Sequence, residues 1–374
     1  MVLGHFTRTC ALLATALVLF ACQDDADRLA EHRKRADAYL EEGKNAEAVI
    51  EFKNMLQVDP NLADAHHGLA QAYIAEKKIR QAYWELQETV RLDPSNLDAK
   101  LEYGQFLLYG KESEIENALT QAEEVLAVEP ERVSAWVLKA RALQALQRDD
   151  EAGEAFARAV EVAPDEGAPL LLLANYHRRR DEPAQAEPLY RRLVEVEPGF
   201  ASHAALAAFL AAEGERDAEA EATYRKAIEL AEEERRATAY SLLANFFYSR
   251  ERFEEAEAVL REGVEAEGDN LELIYGLARF YHARGETAKA DTMIAEATQA
   301  DPENPQPYLL LSAYRGRQGD LEGALEAAEA ALAASPDDLR AKLRKAELLV
   351  DLGYRADDDS RVAQGRAIVE AVLA

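Results

Sequence analysis

ADAHHGLAQAYIAEKKIRQAYWELQETVRLDPSN, residues 63–96, decides the fold. Its first half sets Leu69, Ala70 and Tyr73 at one- and three-residue steps, which line one face of a helix. Ala82 follows Ala70 after twelve residues, Leu86 comes four further on, and Pro94 ends the stretch. A small residue on each helix lets two axes approach closely, and the larger Leu86 fills the gap beside them. Proline cannot continue the second helix, so the chain turns there.

The same columns recur outward in both directions. Small residues stand at Ala36, Ala70, Gly104, Ala140, Ala174, Ala208, Ala244, Ala278, Ser312 and Ala346, at steps of 34 or 36. A second small residue stands at Ala48, Ala82, Ala152, Ala186, Ala220, Ala256, Ala290 and Ala324. Phe52, Leu86, Phe156, Tyr190 and Tyr224 follow four residues later. Seven of the twelve prolines close units, at Pro60, Pro94, Pro130, Pro164, Pro198, Pro302 and Pro336, which chance does not arrange. Gly43, Gly214, Gly285 and Gly319 fall between the paired helices, where a left-handed backbone is easiest. One helix pair cannot bury both faces, so neighbours must stack.

These columns resemble the tetratricopeptide repeat family. The resemblance covers residues 29–374 as ten units starting at Leu29, Ala63, Leu97, Val133, Gly167, Ala201, Ala237, Leu271, Pro305 and Leu339. It implies an all-α solenoid, a right-handed superhelix of about ten helix-turn-helix repeats whose first helices line a concave groove. The departures carry their own expectations. Glu232 and Gly268 stand where proline would close a unit, so the junctions around the seventh repeat are less sharply set. Pro188 is expected to kink or shorten its helix. Arg355 to Ser360 reads as a polar insertion between the last two helices. No polar capping helix follows the tenth repeat, which implies a longer polypeptide or a partner over that end.

Residues 1–21 read as a signal peptide. Arg8 precedes an apolar run from Ala11 to Ala21, too short for a hydrocarbon core that needs about 20 helical residues. The run ends Leu19-Phe20-Ala21-Cys22 and then turns polar at Gln23, Asp24 and Asp25. That ending resembles the lipobox of bacterial lipoproteins, in which the cysteine is acylated and becomes the mature N-terminus. It implies lipidation of Cys22, a short linker over residues 22–28, and anchoring by acyl chains such as palmitate. An ordinary signal peptide cut after a small residue fits the same run. Gln23 is not the Asp of an inner-membrane retention signal, so the expected location is the outer membrane, facing the periplasm.

Charge excludes some partners. Forty-three Lys and Arg against seventy-one Asp and Glu give −28, which argues against nucleic acid and against an anionic membrane face. Cys10 and Cys22 are the only cysteines, so neither a disulfide framework nor a Cys-rich zinc module is available. His66 and His67 are adjacent and diverge on a helix, which is poor ligand spacing. No nucleophile elbow, Walker loop, zincin or dinucleotide motif is present, so neither enzyme activity nor a cofactor is expected. The run Asp357-Asp358-Asp359 lacks the alternating donors of a calcium loop.

Cations nevertheless gather on later first helices, in Asn175-Tyr176-His177-Arg178-Arg179-Arg180, Asn245-Phe246-Phe247-Tyr248, Arg279-Phe280-Tyr281-His282 and Tyr314-Arg315-Gly316-Arg317. Asn175, Arg178, Arg179, Asn245, Tyr248, Tyr275, Arg279 and His282 lie off the small-residue column, and the family resemblance places most of them on the groove wall. Guanidinium forks and amides suit carboxylates, so the ligand expected is a peptide or a uronate polymer. Cations near a helix C-terminus also simply stabilise its dipole, by roughly 0.3–1 kcal/mol. The pattern does not reproduce the lysine-and-asparagine carboxylate clamp of chaperone-binding family members. Lipobox followed by a repeat array resembles the lipoproteins of exopolysaccharide export and exosortase-type sorting loci, and Ala48 to Gln57 looks like the first repeat of the latter. The function expected is a membrane-anchored scaffold for protein partners in the cell envelope. An acidic polysaccharide-binding module, or the recruiting part of a longer enzyme, is the alternative.

Overall fold

The structure, a computed structural model, describes residues 25–268, 270–300 and 302–373. The signal segment 1–21 and Cys22 lie outside the described residues. Every regular element among the described residues is an α-helix, and the twenty helices form ten consecutive pairs. The chain divides between Leu189 and Tyr190 into two compact units. The first holds α1 (25–41) with α2 (Asn45–Val58), α3 (Ala63–Ala75) with α4 (Ile79–Leu92), and α5 (Leu97–Leu107) with α6 (Glu112–Val128). It continues through α7 (Val133–Ala145), α8 (Asp149–Val162) and α9 (Gly167–Arg179), and the division falls in α10 (Pro183–Val196). The second unit holds α11 (Phe200–Ala212) with α12 (Asp217–Glu229), and α13 (Glu233–Ser249) with α14 (Phe253–Glu267). After these come α15 (Leu271–Ala283) with α16 (Thr287–Ala300), α17 (Pro305–Arg317) with α18 (Leu321–Ala334), and α19 (Leu339–Ala356) with α20 (Asp359–Leu373).

Local chemistry starts and stops these helices. Asn96, Asn270, Asn304 and Asp338 share one register and cap α5, α15, α17 and α19, accepting from Ala99, Leu273, Gln306 and Ala341 N–H groups. Each such cap contributes about 1 kcal/mol. Every first helix except α5 is followed by a left-handed residue. Gly43, Gly214, Gly285 and Gly319 have φ of +70°, +73°, +76° and +84°, while Lys77, Gln147, Asp181 and Glu251 take the same conformation without glycine. The next N–H then reaches back five residues, as in Lys78 to Tyr73 O and Glu286 to Tyr281 O, both 2.8 Å. These bonds satisfy carbonyls that the helix end leaves open. Between pairs, His66 Nε2–H and Trp136 Nε1–H reach back to the carbonyls of Pro60 and Pro130, at 3.1 and 2.8 Å.

The small-residue columns are buried, with one correction. Ala208 is exposed, and Ala207 is the fully buried member of the sixth unit. Helix α11 begins at Phe200, one residue ahead of the expected start at Ala201, so its whole face rotates back by one position. Helix α13 begins at Glu233, four residues ahead of Ala237. With no proline at 232 the chain coils one turn early, and Glu233 and Glu234 suit a helix N-terminus. Pro188 does not shorten α10, which has the same 14 residues as α2. Ala186 and Tyr190, both buried on that helix, outweigh one lost backbone bond. The polar insertion from Arg355 to Ser360 is taken up by the helix ends. Helix α19 runs on to Ala356, Asp357 turns left-handed at φ +52°, and α20 starts at Asp359.

The large members of the pattern fill each core. Phe52, Leu86 and Phe156 are buried in the first unit, Tyr190 and Tyr224 in the second. The Phe52 ring lies so close to the Gly68 backbone of the next pair that a Cβ there would overlap it. Small-against-large packing therefore sets the spacing between consecutive pairs, and each first helix keeps one face outside the core.

Candidate functional site

The eight residues singled out in the sequence fall into two groups. Asn175, Arg178 and Arg179 belong to α9 in the first unit, where Asn175 is half-buried and both arginines are exposed. Their neighbours are engaged in the turn. His177 Nδ1–H donates to Glu182 at 2.7 Å, Arg180 donates to Glu182 at 3.1 Å, and Arg180 also pairs with Asp150 at 3.2 Å. His177 and Arg180 together hold the Glu182 carboxyl below its ordinary range. Tyr176 Oη–H donates to the Asp149 carbonyl at 2.9 Å, which ties α9 to α8.

The remaining five converge. Asn245 and Tyr248 of α13 and Tyr275, Arg279 and His282 of α15 line one concavity of about 570 Å³ in the second unit. Periodicity accounts for this, because Tyr248 and His282 are 34 residues apart, as are Asn245 and Arg279. Equivalent positions of successive first helices stand side by side. Helix α17 completes the wall with Tyr314 and Arg317, and Gln318 follows just past its end. Tyr314 and Arg317 were not singled out as ligand residues, since they lie off the register of the other five. The signal that finds them is the Tyr314-Arg315-Gly316-Arg317 cluster itself.

Charge and polarity here are unbalanced. Arg279 and Arg317 both lie over the Tyr275 ring, 5.8 and 5.6 Å from its centroid. Both are exposed, and among the described residues neither has a carboxylate at ion-pair distance. The Tyr275 hydroxyl is buried with no hydrogen-bond partner among the described residues, and so is that of Tyr314. Burial pushes the Tyr314 phenol up, Asp291 adds to the rise, and Gln318 opposes it without reaching hydrogen-bond geometry. His282 sets its edge against the Tyr314 ring at 5.8 Å. Tyr248, 40% exposed, stands edge-on to Phe253 and Phe280 and offers an open aromatic surface. The arrangement suits an anion with acceptor oxygens, because the two exposed guanidinium groups donate.

A second concavity, of about 650 Å³, adjoins the first and shares Tyr275 and Glu272 with it. Leu309, Leu310, Ala313 and Leu343, from α17 and α19, make it largely apolar.

Two models described as tetratricopeptide repeat match this chain. One matches residues 39–95 and 247–314, the other residues 103–169, 171–235, 218–270 and 309–372. No curated protein matches it in sequence. Among solved structures, MamA (residue 41 to its end) from Desulfovibrio magneticus RS-1 is 22% identical, with a TM-score of 0.42 over 46% of this chain and 96% of its own. PilF from Pseudomonas aeruginosa is 19% identical, with a TM-score of 0.45 over 54% of this chain and 92% of its own. Yeast Tom70 is 11% identical, with a TM-score of 0.40 over 93% of this chain and 85% of its own.

Proposed function

Because this chain belongs to the tetratricopeptide repeat family, whose members mediate protein–protein interactions, we propose that it is a non-catalytic scaffold in the bacterial cell envelope. Its lipid anchor is Cys22, it faces the periplasm from the outer membrane, and it holds protein partners of an assembly or export system. The observation that carries the binding role is the convergence of Asn245, Tyr248, Tyr275, Arg279 and His282 on one concavity. A structural repeat alone needs small and large residues at its columns. It does not need two exposed guanidiniums over one tyrosine ring or hydroxyls left without partners.

The anchor rests on Leu19-Phe20-Ala21-Cys22. Among the described residues no helix is long and apolar enough to cross a membrane. Metabolic labelling with a palmitate analogue tests it: wild type takes up label and Cys22→Ser does not. Equal labelling of the two ends the lipoprotein assignment. For the binding role, a photo-cross-linking residue at Asn245 is expected to give discrete protein adducts in the envelope fraction. The same residue at exposed Thr292 on α16 is the control, and identical patterns from the two sites overturn the role.

A further inference from the structure

The two adjoining concavities of the second unit differ in chemistry, and that difference specifies an occupant. On one side stand two cations with no carboxylate at ion-pair distance among the described residues, though Glu272 lines the same concavity, in a protein whose formal charge is −28. Two guanidiniums over the same ring repel each other, and an anion between them relieves that repulsion. Beside them Tyr275 presents its ring, while its hydroxyl and that of Tyr314 are buried without partners among the described residues. On the other side Leu309, Leu310 and Leu343 line the apolar trough, and Leu343 is 41% exposed. A polysaccharide would bury hydroxyls against these leucines without compensation. An aliphatic or aromatic side chain would not.

We propose that this surface takes an extended segment of a protein partner in which an acidic side chain stands next but one to a large apolar side chain. The carboxylate is held by Arg279 and Arg317 beside the Tyr275 ring, and the apolar side chain enters the trough of Leu309, Leu310 and Leu343. Tyr275 is the divider, since it belongs to both walls. In an extended chain side chains two residues apart project on one face at about 7 Å spacing, which suits two subsites sharing a single residue. The proposal rests on reading this protein as a protein-binding scaffold and names the chemistry of the segment it holds.

Selection of a random 12-residue peptide display library on the full chain in detergent, and on Arg279→Gln/Arg317→Gln, tests it. Wild type is expected to enrich Asp or Glu two positions from Leu, Ile, Phe or Met, and the variant to lose that enrichment. For the best selected peptide, replacing its acid by the amide should weaken binding at least about tenfold in fluorescence anisotropy. Arg279→Lys/Arg317→Lys should restore part of it and so separates lost charge from lost fold. Enrichment identical on both proteins, or equal affinity for acid and amide peptides, overturns the proposal. So does a library that yields nothing while galacturonate oligomers bind in an arginine-dependent way, which assigns the surface to an acidic polysaccharide. If peptides fail while the cross-link from Asn245 still returns protein adducts, the scaffold stands and this segment chemistry falls.

Discussion

The end of α9 and the wall formed by α15 and α17 look alike in sequence, since each gathers arginine, histidine and tyrosine near the close of a first helix. They differ in what their tyrosines and cations meet. In the first unit Tyr176 donates to Asp149 O, and His177 and Arg180 converge on Glu182. In the second unit, among the described residues, Tyr275 and Tyr314 have buried hydroxyls without partners, and two guanidiniums lie over Tyr275 with no carboxylate at ion-pair distance. Helix register explains much of this. Arg180 and Arg284 occupy equivalent places at the turn, whereas Arg279 lies five residues ahead of Arg284, away from the turn acid Glu286. Arg317, however, ends α17 in the place that Arg179 has in α9, so position along the helix separates Arg279 from the turn cations and what surrounds Arg317 separates it from Arg179.

The largest expected effect breaks the two regions apart directly. Arg279→Glu with Arg317→Glu should lower affinity for an acidic peptide about a hundredfold, roughly 3 kcal/mol. Arg178→Glu with Arg179→Glu should change it by less than about twofold, because those side chains face neither concavity of the second unit. Anisotropy titration reads both. The turns come next. Lys77→Gly removes a left-handed lysine and should stabilise the first unit by about 1 kcal/mol, while Gly285→Ala should cost the second unit about as much. Urea midpoints at unchanged m-value measure this, and a destabilising Lys77→Gly contradicts it.

The tyrosines give a smaller contrast. Tyr176→Phe loses a bond to Asp149 O and should cost about 1 kcal/mol, whereas Tyr275→Phe removes an unpartnered hydroxyl and should cost nothing or stabilise slightly. Equal losses in urea would remove the distinction between the two sites. The smallest effect is in pH. His66 faces the Glu85 carboxylate at 2.6 Å and the Pro60 carbonyl at 3.1 Å, and only the imidazolium donates to both. Glu85 chiefly, and then the Pro60 carbonyl, raise His66 above its ordinary 6.5, against the opposing effect of burial. A raised histidine stabilises fully below its unfolded pKa and loses that contribution as pH rises through the folded one. The first unit should thus weaken by less than about 1 kcal/mol from pH 6 to 8, and His66→Gln should flatten that part of the profile. An unchanged profile refutes the assignment.

Much of the architecture was legible because the columns have a physical cause. Small residues let helices approach, large ones fill the gap, and proline ends the unit; the helices obey all three. Register in the sixth unit was not legible, because Ala207 and Ala208 are equally small and only the early start at Phe200 decides between them. Pro188 does not shorten its helix because buried Ala186 and Tyr190 hold it in place, and the mostly exposed Arg355–Ser360 segment extends α19 and opens α20 around a left-handed Asp357. For the candidate site, the sequence picked out five residues that share a wall. It could not tell that Asn175, Arg178 and Arg179 belong to the other unit, because a 34-residue repeat makes every first helix look alike. Tyr314 and Arg317 escaped because their contribution comes from contacts with His282 and Tyr275 and not from column position.

The most direct measurement is photo-cross-linking in cells from Asn245, at the rim of the cationic wall, in three backgrounds. Discrete envelope-protein adducts are expected in wild type and in Arg178→Glu/Arg179→Glu, and their loss is expected in Arg279→Glu/Arg317→Glu. Adducts that survive the second pair of substitutions and vanish with the first would contradict the account.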